Sequence, residues 1–366
     1  MTITVWTPLL AISVLTATSV AAQPTSSDAD SATRKGQAAS LRVLPVLGSA
    51  PETGFVGGAT LLRVSTPAGD STRPSADQLY VSYTVKHQFR AFVSTDRWTV
   101  GNRRGWSAQL EYQLYPQPYF GVGIDTPESA EEWYEARSIS TSVAVRQRLT
   151  GPLFVQLGHR FTNTAIRDAA PGGAIASADL PGMRGGVVSQ VMSGVAWDTR
   201  DNIFAPAAGT FAQVTGAWSA SALGSDFSFG RYVGDARRYL KLGRGVLAGQ
   251  AYVEASTGRA PFDQLSLLGS GSVMRGYVRG RYRDRDLLAA QIEYRLPVTG
   301  KLGIAGFAGA GTVAPTPSKL ASSTLLPSFG AGARWLLIPK SRTTVRVDYG
   351  IGKGSSGLYV AFNEAY

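Results

Sequence analysis

A two-residue alternation of apolar and polar side chains, sustained over segments of about 10 residues and repeated along most of the chain, limits most strongly what this sequence can form. Trp106, Ala108, Leu110, Tyr112 and Leu114 alternate with Ser107, Gln109, Glu111 and Gln113. Leu247, Gly249, Ala251 and Val253 alternate with Ala248, Gln250, Tyr252 and Glu254. Ile292, Tyr294 and Leu296 alternate with Gln291, Glu293 and Arg295, and Val345, Val347 and Tyr349 with Thr344, Arg346 and Asp348. Successive side chains of a strand point to opposite faces, so each such segment needs one apolar and one wet environment.

A soluble sandwich meets that need with its apolar face inward. Three features favour a barrel whose apolar face meets lipid. The segments are long enough for a tilted membrane crossing. Aromatic residues gather near their ends (Trp98, Trp106, Tyr112, Tyr115, Trp133 and Tyr134), where an interfacial girdle belongs. Short and long connections also alternate. The pattern predicts an all-β fold, a sixteen-stranded antiparallel transmembrane barrel, with strands at 41–49, 54–66, 76–86, 88–100, 105–115, 133–149, 152–166, 185–199, 209–220, 227–242, 244–256, 286–297, 300–314, 326–338, 341–351 and 357–366.

With both chain ends on the periplasmic side, the tight connections Gly101–Gly105, Thr150–Gly151, Gly243, Thr299–Gly300 and Pro339–Lys340 fall there. The long ones, 116–132, 167–184, 257–285 and 315–325, fall outside. Two periplasmic connections, 67–75 and 200–208, break the parity by length, and the external turn 50–53 is short.

Residues 1–22 read as a signal peptide: an apolar stretch begins at Leu9 and Val20-Ala21-Ala22 precedes Gln23 as a small-residue cleavage site, although no Lys or Arg leads it. Residues 23–40 read as a disordered periplasmic lead-in, and 41–366 as the barrel, placing the protein in the outer membrane of a diderm bacterium. No later apolar run approaches the length of about 20 residues that a membrane helix needs.

The composition excludes several chemistries. There is no cysteine, hence no disulfide and no thiolate site. His87 and His159 lie far apart in strand-like segments, and no catalytic, cofactor-binding or metal-binding set is evident. The net charge of +11 is scattered through turns and alternating segments. It points to the acidic phosphates of outer-membrane lipids and lipopolysaccharide, and not to nucleic acid. Gly352-Lys353-Gly354-Ser355-Ser356-Gly357 fits G-x-G-x-x-G, but between two strands it reads as a hairpin loop. The acidic run of Asp125, Glu128, Glu131, Glu132 and Glu135 reads as a solvated loop rim.

Particular motifs go further. Met274-Arg275-Gly276-Tyr277, within the connection 257–285, resembles the V-R-G-[FY] lid-loop motif of the BamA/TamA-type outer-membrane superfamily. Gln291-Ile292-Glu293-Tyr294-Arg295-Leu296-Pro297 is similar to that family's E-Y-R-x-P strand, and Trp197-Asp198-Thr199-Arg200-Asp201-Asn202 with Pro206 and Gly209 to its D-x-R-D-N turn. Pro51-Glu52-Thr53-Gly54 and Tyr119-Phe120-Gly121-Val122-Gly123 resemble stand-alone members of the bacterial surface antigen branch.

The resemblance implies a non-enzymatic barrel acting in outer-membrane biogenesis, by protein insertion or by protein or lipid translocation. The alternative is a passive pore or structural barrel without insertase activity. It also implies a lid loop folded into the lumen with Arg275 held by acids on the wall. Gly309 stands where the family carries one such acid, so Glu293 and Asp348, on the polar faces of their strands, become the expected partners. Too few residues precede the first strand for POTRA domains, which implies a separate periplasmic partner or none. At the other end Phe362 and Tyr366, sharing a face with Leu358 and Val360, read as the signal by which the cell's barrel-assembly machinery receives the chain. Glu364 interrupts that face. A weak seam between the first and last strands is also implied, through which a client would pass.

Overall fold

The computed structural model describes residues 40–65, 75–169, 172–177, 180–339 and 342–366. The expected signal peptide and most of the lead-in lie outside them. The first half of the wall is built from β1 (Ser40–Ala50), β2 (Gly54–Ser65), β3 (Ser75–Thr84), β4 (Phe89–Trp98), β5 (Arg104–Tyr119), β6 (Glu132–Thr150), β7 (Leu153–Arg167) and β8 (Gly185–Asp198). The second half comprises β9 (Gly209–Ser219), β10 (Phe229–Leu242), β11 (Gly245–Gly258), β14 (Asp286–Pro297), β15 (Leu302–Ala314), β16 (Leu326–Ile338), β17 (Thr343–Gly352) and β18 (Ser355–Phe362). Each strand pairs antiparallel with its neighbours in sequence, and β1 meets β18 to close a sixteen-stranded barrel. Two further strands, β12 (Ser266–Leu268) and β13 (Tyr282–Asp284), form a ribbon of their own inside the connection between β11 and β14.

The alternation sets the two faces of this wall. On β5, Trp106 and Leu110 are exposed while Ser107 and Glu111 are buried. On β14, Ile292 is exposed while Gln291, Glu293 and Arg295 are buried, and on β17 Val347 and Tyr349 are exposed while Arg346 and Asp348 are buried. The barrel is thus apolar outside and ion-paired inside. An apolar belt running round the whole circumference is far larger than a soluble monomer exposes, and lipid is the environment that suits it. Among the described residues no helix is long and apolar enough to cross a membrane. Exposed tryptophans mark two rims. Trp106, Trp197 and Trp335 lie toward the end that holds the chain termini, and Trp133 and Trp218 toward the opposite end.

Three expectations need correction. The girdle does not include Trp98, which is buried in the lumen with its ring 5.1 Å from the Arg146 guanidinium. Nor does it include Tyr134, buried against Phe262, or Tyr115, which lines the lumen. Strand β5 runs on to Tyr119, pairing through Pro116 and Pro118 with β6, so the connection after it is 120–131 and not 116–132. The last strand stops at Phe362. Asn363 takes a positive φ of 60°, a conformation that Asn tolerates better than most residues, and the chain then turns away from the wall.

Candidate functional site

The connection 259–285 reaches the inner wall at Arg275, whose side chain is fully buried. Its Nη2 lies 2.5 Å from Glu293 Oε2 and its Nη1 2.5 Å from Asp348 Oδ2. The guanidinium also sits 3.5 Å from the centre of the Phe307 ring, a cation–π contact. Glu293 and Asp348 come from strands separated by β15 and β16 in the wall, so the loop arginine ties distant staves together. The question the sequence left open, which acid pairs with Arg275, has the answer that each takes one nitrogen.

Three more arginines crowd the same acids. Arg295 Nε lies 2.6 Å from Glu293 Oε1. Arg346 Nη1 lies 2.6 Å from Asp348 Oδ2, and Arg334 Nη1 donates to Asp348 Oδ1. Glu364 accepts from Arg334 Nε at 2.8 Å and lies 3.4 Å from Arg295. Four guanidinium groups therefore surround three carboxylates. A buried charge is tolerable only when paired and hydrogen-bonded, and here every carboxylate meets at least two arginines. The sequence reading missed Arg334 and gave Arg295 and Arg346 no role. Both stand two residues from an acid on the same strand face, and that spacing was the available signal.

Backbone contacts fix the loop tip. The Gly276 amide donates to Tyr359 Oη at 2.8 Å. Tyr277 Oη donates to the Pro327 carbonyl at 2.5 Å and accepts from the Lys353 amide at 2.9 Å, while Ser328 Oγ donates to the Arg275 carbonyl. Gly276 has φ 109°, and a Cβ there would come within 2.6 Å of the Ile351 carbonyl carbon, so glycine is required. On the facing strand, a Cβ on Gly350 would approach the Gly276 nitrogen to 2.7 Å. Met274 is fully buried, and its amide donates to Gln291 Oε1 at 3.2 Å. Gly309 pairs with Gln291, and a Cβ there would lie 2.8 Å from that of Gln291. A side chain at Gly309 would therefore crowd Gln291, whose own amide oxygen reaches the Met274 nitrogen.

The C-terminal residues follow a different course from the one expected. Leu358 is exposed on the outer face and Phe362 ends β18 beside Val345. Tyr366 shares no strand face with them. It is buried against Tyr239 and Ala248 in the lumen, and its carbonyl accepts from Arg295 Nη2 at 2.7 Å. The Glu364 amide donates to the Phe204 carbonyl at 3.1 Å, which joins the tail to the connection 199–208. That connection is a folded turn in which Asp198 pairs with Arg200 at 2.9 Å and Asn202 Oδ1 accepts from the Phe204 and Ala205 amides.

The other predicted features are placed as follows. Lys353-Gly354 is the turn of the β17–β18 hairpin. Glu132, from the acidic run, accepts from the Ile175 amide at 3.0 Å. His159 contacts Ser189 Oγ at 3.0 Å, and His87 Nδ1 contacts Tyr83 Oη at 3.0 Å. Among the described residues no three His, Asp or Glu side chains gather where they could hold a metal ion. What this site can do is latch: it holds a loop across the lumen by charge.

A comparison with curated protein sequences gave no match. Among solved structures the fold is similar to BamA from Haemophilus ducreyi lacking POTRA domains 1–3, with a TM-score of 0.63 and 13% identity over 89% of this chain and 70% of that one. It is also similar to CdiB from Acinetobacter baumannii, with a TM-score of 0.57 and 10% identity. That match covers 90% of this chain and 65% of the other, so the chain spans slightly less than two thirds of CdiB. The model of the Omp85 superfamily domain matches residues 75–352, roughly three quarters of the sequence, and the chain belongs to the Omp85 superfamily.

Proposed function

We propose that the protein is a non-enzymatic barrel of the bacterial outer membrane that acts in membrane biogenesis, opening at its seam to insert protein or to pass protein or lipid. The observation that carries this reading is the pairing of β1. With β2 it is registered along its whole length, from Ser40↔Val64 to Ala50↔Gly54. With β18 it has a single registered pair, Ser49↔Val360. A backbone hydrogen bond contributes about 0.5–1.5 kcal/mol net in water, and an unpaired polar group in hydrocarbon costs several kcal/mol. A closure this short loses little on opening. The edges it leaves are a template for an added strand.

The end holding the chain termini is then periplasmic, and the longer connections face outward. The segment 259–285, latched by Arg275, obstructs the lumen, which favours a gated barrel over a passive pore. Its own insertion relies on the cell's barrel-assembly machinery, and a client or a separate periplasmic partner completes its working cycle. Reconstitution into vesicles separates the readings. Faster insertion of a test barrel in its presence supports the proposal. Steady conductance with no effect on insertion supports a pore instead.

A further inference from the structure

Beside the latched loop the lumen holds a chamber of about 730 Å³, lined by β1 to β10, with parts of 259–285 and the seam residues of β1 and β18. Its wall carries arginines and no lysine, among them Arg90, Arg146, Arg160, Arg231 and Arg283. Most are matched. Arg90 pairs with Glu111 at 2.8 Å, Arg146 with Asp96 at 2.9 Å and Arg231 with Glu254 at 2.5 Å.

Arg160 differs. No hydrogen bond or ion pair ties it to another described residue. Its charged neighbours are Glu111, Arg231 and Arg90. Glu111 already accepts from Arg90, Gln109 and Gln113. The carboxylate paired with Arg231, Glu254, also takes the Tyr252 hydroxyl. Two more polar groups stand beside Arg160 without partners. Thr162, two residues along the same face of β7, is 1% exposed, and its Oγ1 has no hydrogen bond. Gln190, registered opposite Arg160 on β8, is also 1% exposed, and its Nε2 has none. A guanidinium, a hydroxyl and an amide nitrogen thus cluster on one patch of wall, all able to donate and all lacking an acceptor. Buried polar groups without partners are rare enough in native proteins to ask for an explanation.

We propose that Arg160, with Thr162 and Gln190, forms a binding site for a phosphate-bearing anion within the lumen. Guanidinium forks suit oxyanions bidentately, and a phosphate offers enough acceptor oxygens for the adjacent donors. Two sources supply that chemistry. Free phosphate can enter with water. The headgroup of an anionic lipid can enter from the side, because the same chamber is lined by Leu47 and Gly48 of β1 and Val360 and Phe362 of β18. The site does not depend on the seam having an insertase role.

The test uses the full-length barrel in nanodiscs of zwitterionic lipid, with equilibrium dialysis against radiolabelled inorganic phosphate. Saturable uptake is expected, weakened about tenfold or more by Arg160→Gln, as loss of a charge-assisted hydrogen bond requires, and less by Arg160→Lys. In discs containing phosphatidylglycerol, loss of phosphate uptake together with Arg160-dependent retention of that lipid in native mass spectrometry assigns the headgroup as source. Unchanged uptake assigns the free anion. Heat-modifiable migration on gels checks that the variants fold, and Thr162→Val with Gln190→Leu replaces Arg160→Gln should that variant fail to fold. The proposal is overturned by wild-type protein that takes up no phosphate and retains no anionic lipid, or by uptake that the substitutions leave unchanged.

Discussion

Replacing Arg275 by alanine and, separately, Asp348 by asparagine perturbs the lumen cluster from its two sides, and the structure orders the outcomes. Breaking a buried ion pair so that one charge is left alone costs about 3–5 kcal/mol. In Arg275→Ala neither acid is left alone, because Glu293 keeps Arg295 and Asp348 keeps Arg334 and Arg346. The loss is the two contacts at 2.5 Å and the stacking on Phe307, about 2–3 kcal/mol, below the full penalty. In Asp348→Asn, Arg275 keeps Glu293 and Arg334 keeps Glu293 and Glu364, but Arg346 is left with no acid, and the cluster becomes more strongly cationic. That places it at about 4–5 kcal/mol, the upper end of the range. Barrel unfolding is commonly irreversible, so the observable is a rate. At about 1.4 kcal/mol per tenfold, Arg275→Ala unfolds about 30- to 150-fold faster than wild type and Asp348→Asn about a thousandfold or more. Heat-modifiable migration against time in urea, in detergent micelles, measures both. Arg275→Ala proving as damaging as Asp348→Asn, or neither changing the rate, would show that the cluster does not hold the loop by charge.

Gly350→Ala places a Cβ 2.7 Å from the Gly276 nitrogen, so the loop tip must shift at about 1–3 kcal/mol. Limited proteolysis within 259–285 is expected to quicken, and cleavage unchanged from wild type would show that the tip is not seated there. Asp201 links the turn 199–208, at the end that holds the chain termini, to Arg342 at 2.7 Å. Burial pushes the Asp201 carboxyl up, but Arg342 and the Ala207 and Ala208 amides outweigh it and hold the carboxyl below the usual range. Its contribution is therefore complete above the ordinary aspartate pKa and is lost as pH falls through the lowered folded value. Arg342→Gln costs under about 1 kcal/mol at neutral pH, since the pair is partly exposed. That difference is expected to vanish in acid, and a difference that grew in acid would contradict the assignment.

Much of the fold was legible because a barrel in lipid enforces its alternation at every strand. A one-residue slip reverses every side chain, so Ile292, Glu293, Val347 and Asp348 announced their faces. The acids that hold Arg275 were legible for the same reason. What stayed hidden depended on contacts across the lumen. Trp98 sits at a strand end, as a girdle residue does, yet its parity turns it inward onto Arg146. Pro116 and Pro118 carry no amide donor, yet β6 pairs with β5 through both to Tyr119, past the expected end at Tyr115. Nothing local marked the turn at Asn363 that sends Tyr366 to Arg295. At Gly309 the missing side chain was visible; the close approach of Gln291 that leaves little room for one was not.

The seam carries the functional account, and the absence of native cysteine makes it directly testable. Directly opposed residues of an antiparallel pair lie about 4.5–5.5 Å apart at Cα, within reach of a disulfide, so Ser49→Cys with Val360→Cys should lock the one registered pair. Insertion of a test barrel into vesicles is then measured with the locked protein before and after reduction. If the seam must open, the oxidised form falls to the protein-free rate and reductant restores the activity of the unmodified barrel. Equal acceleration by the locked and reduced forms would contradict that requirement.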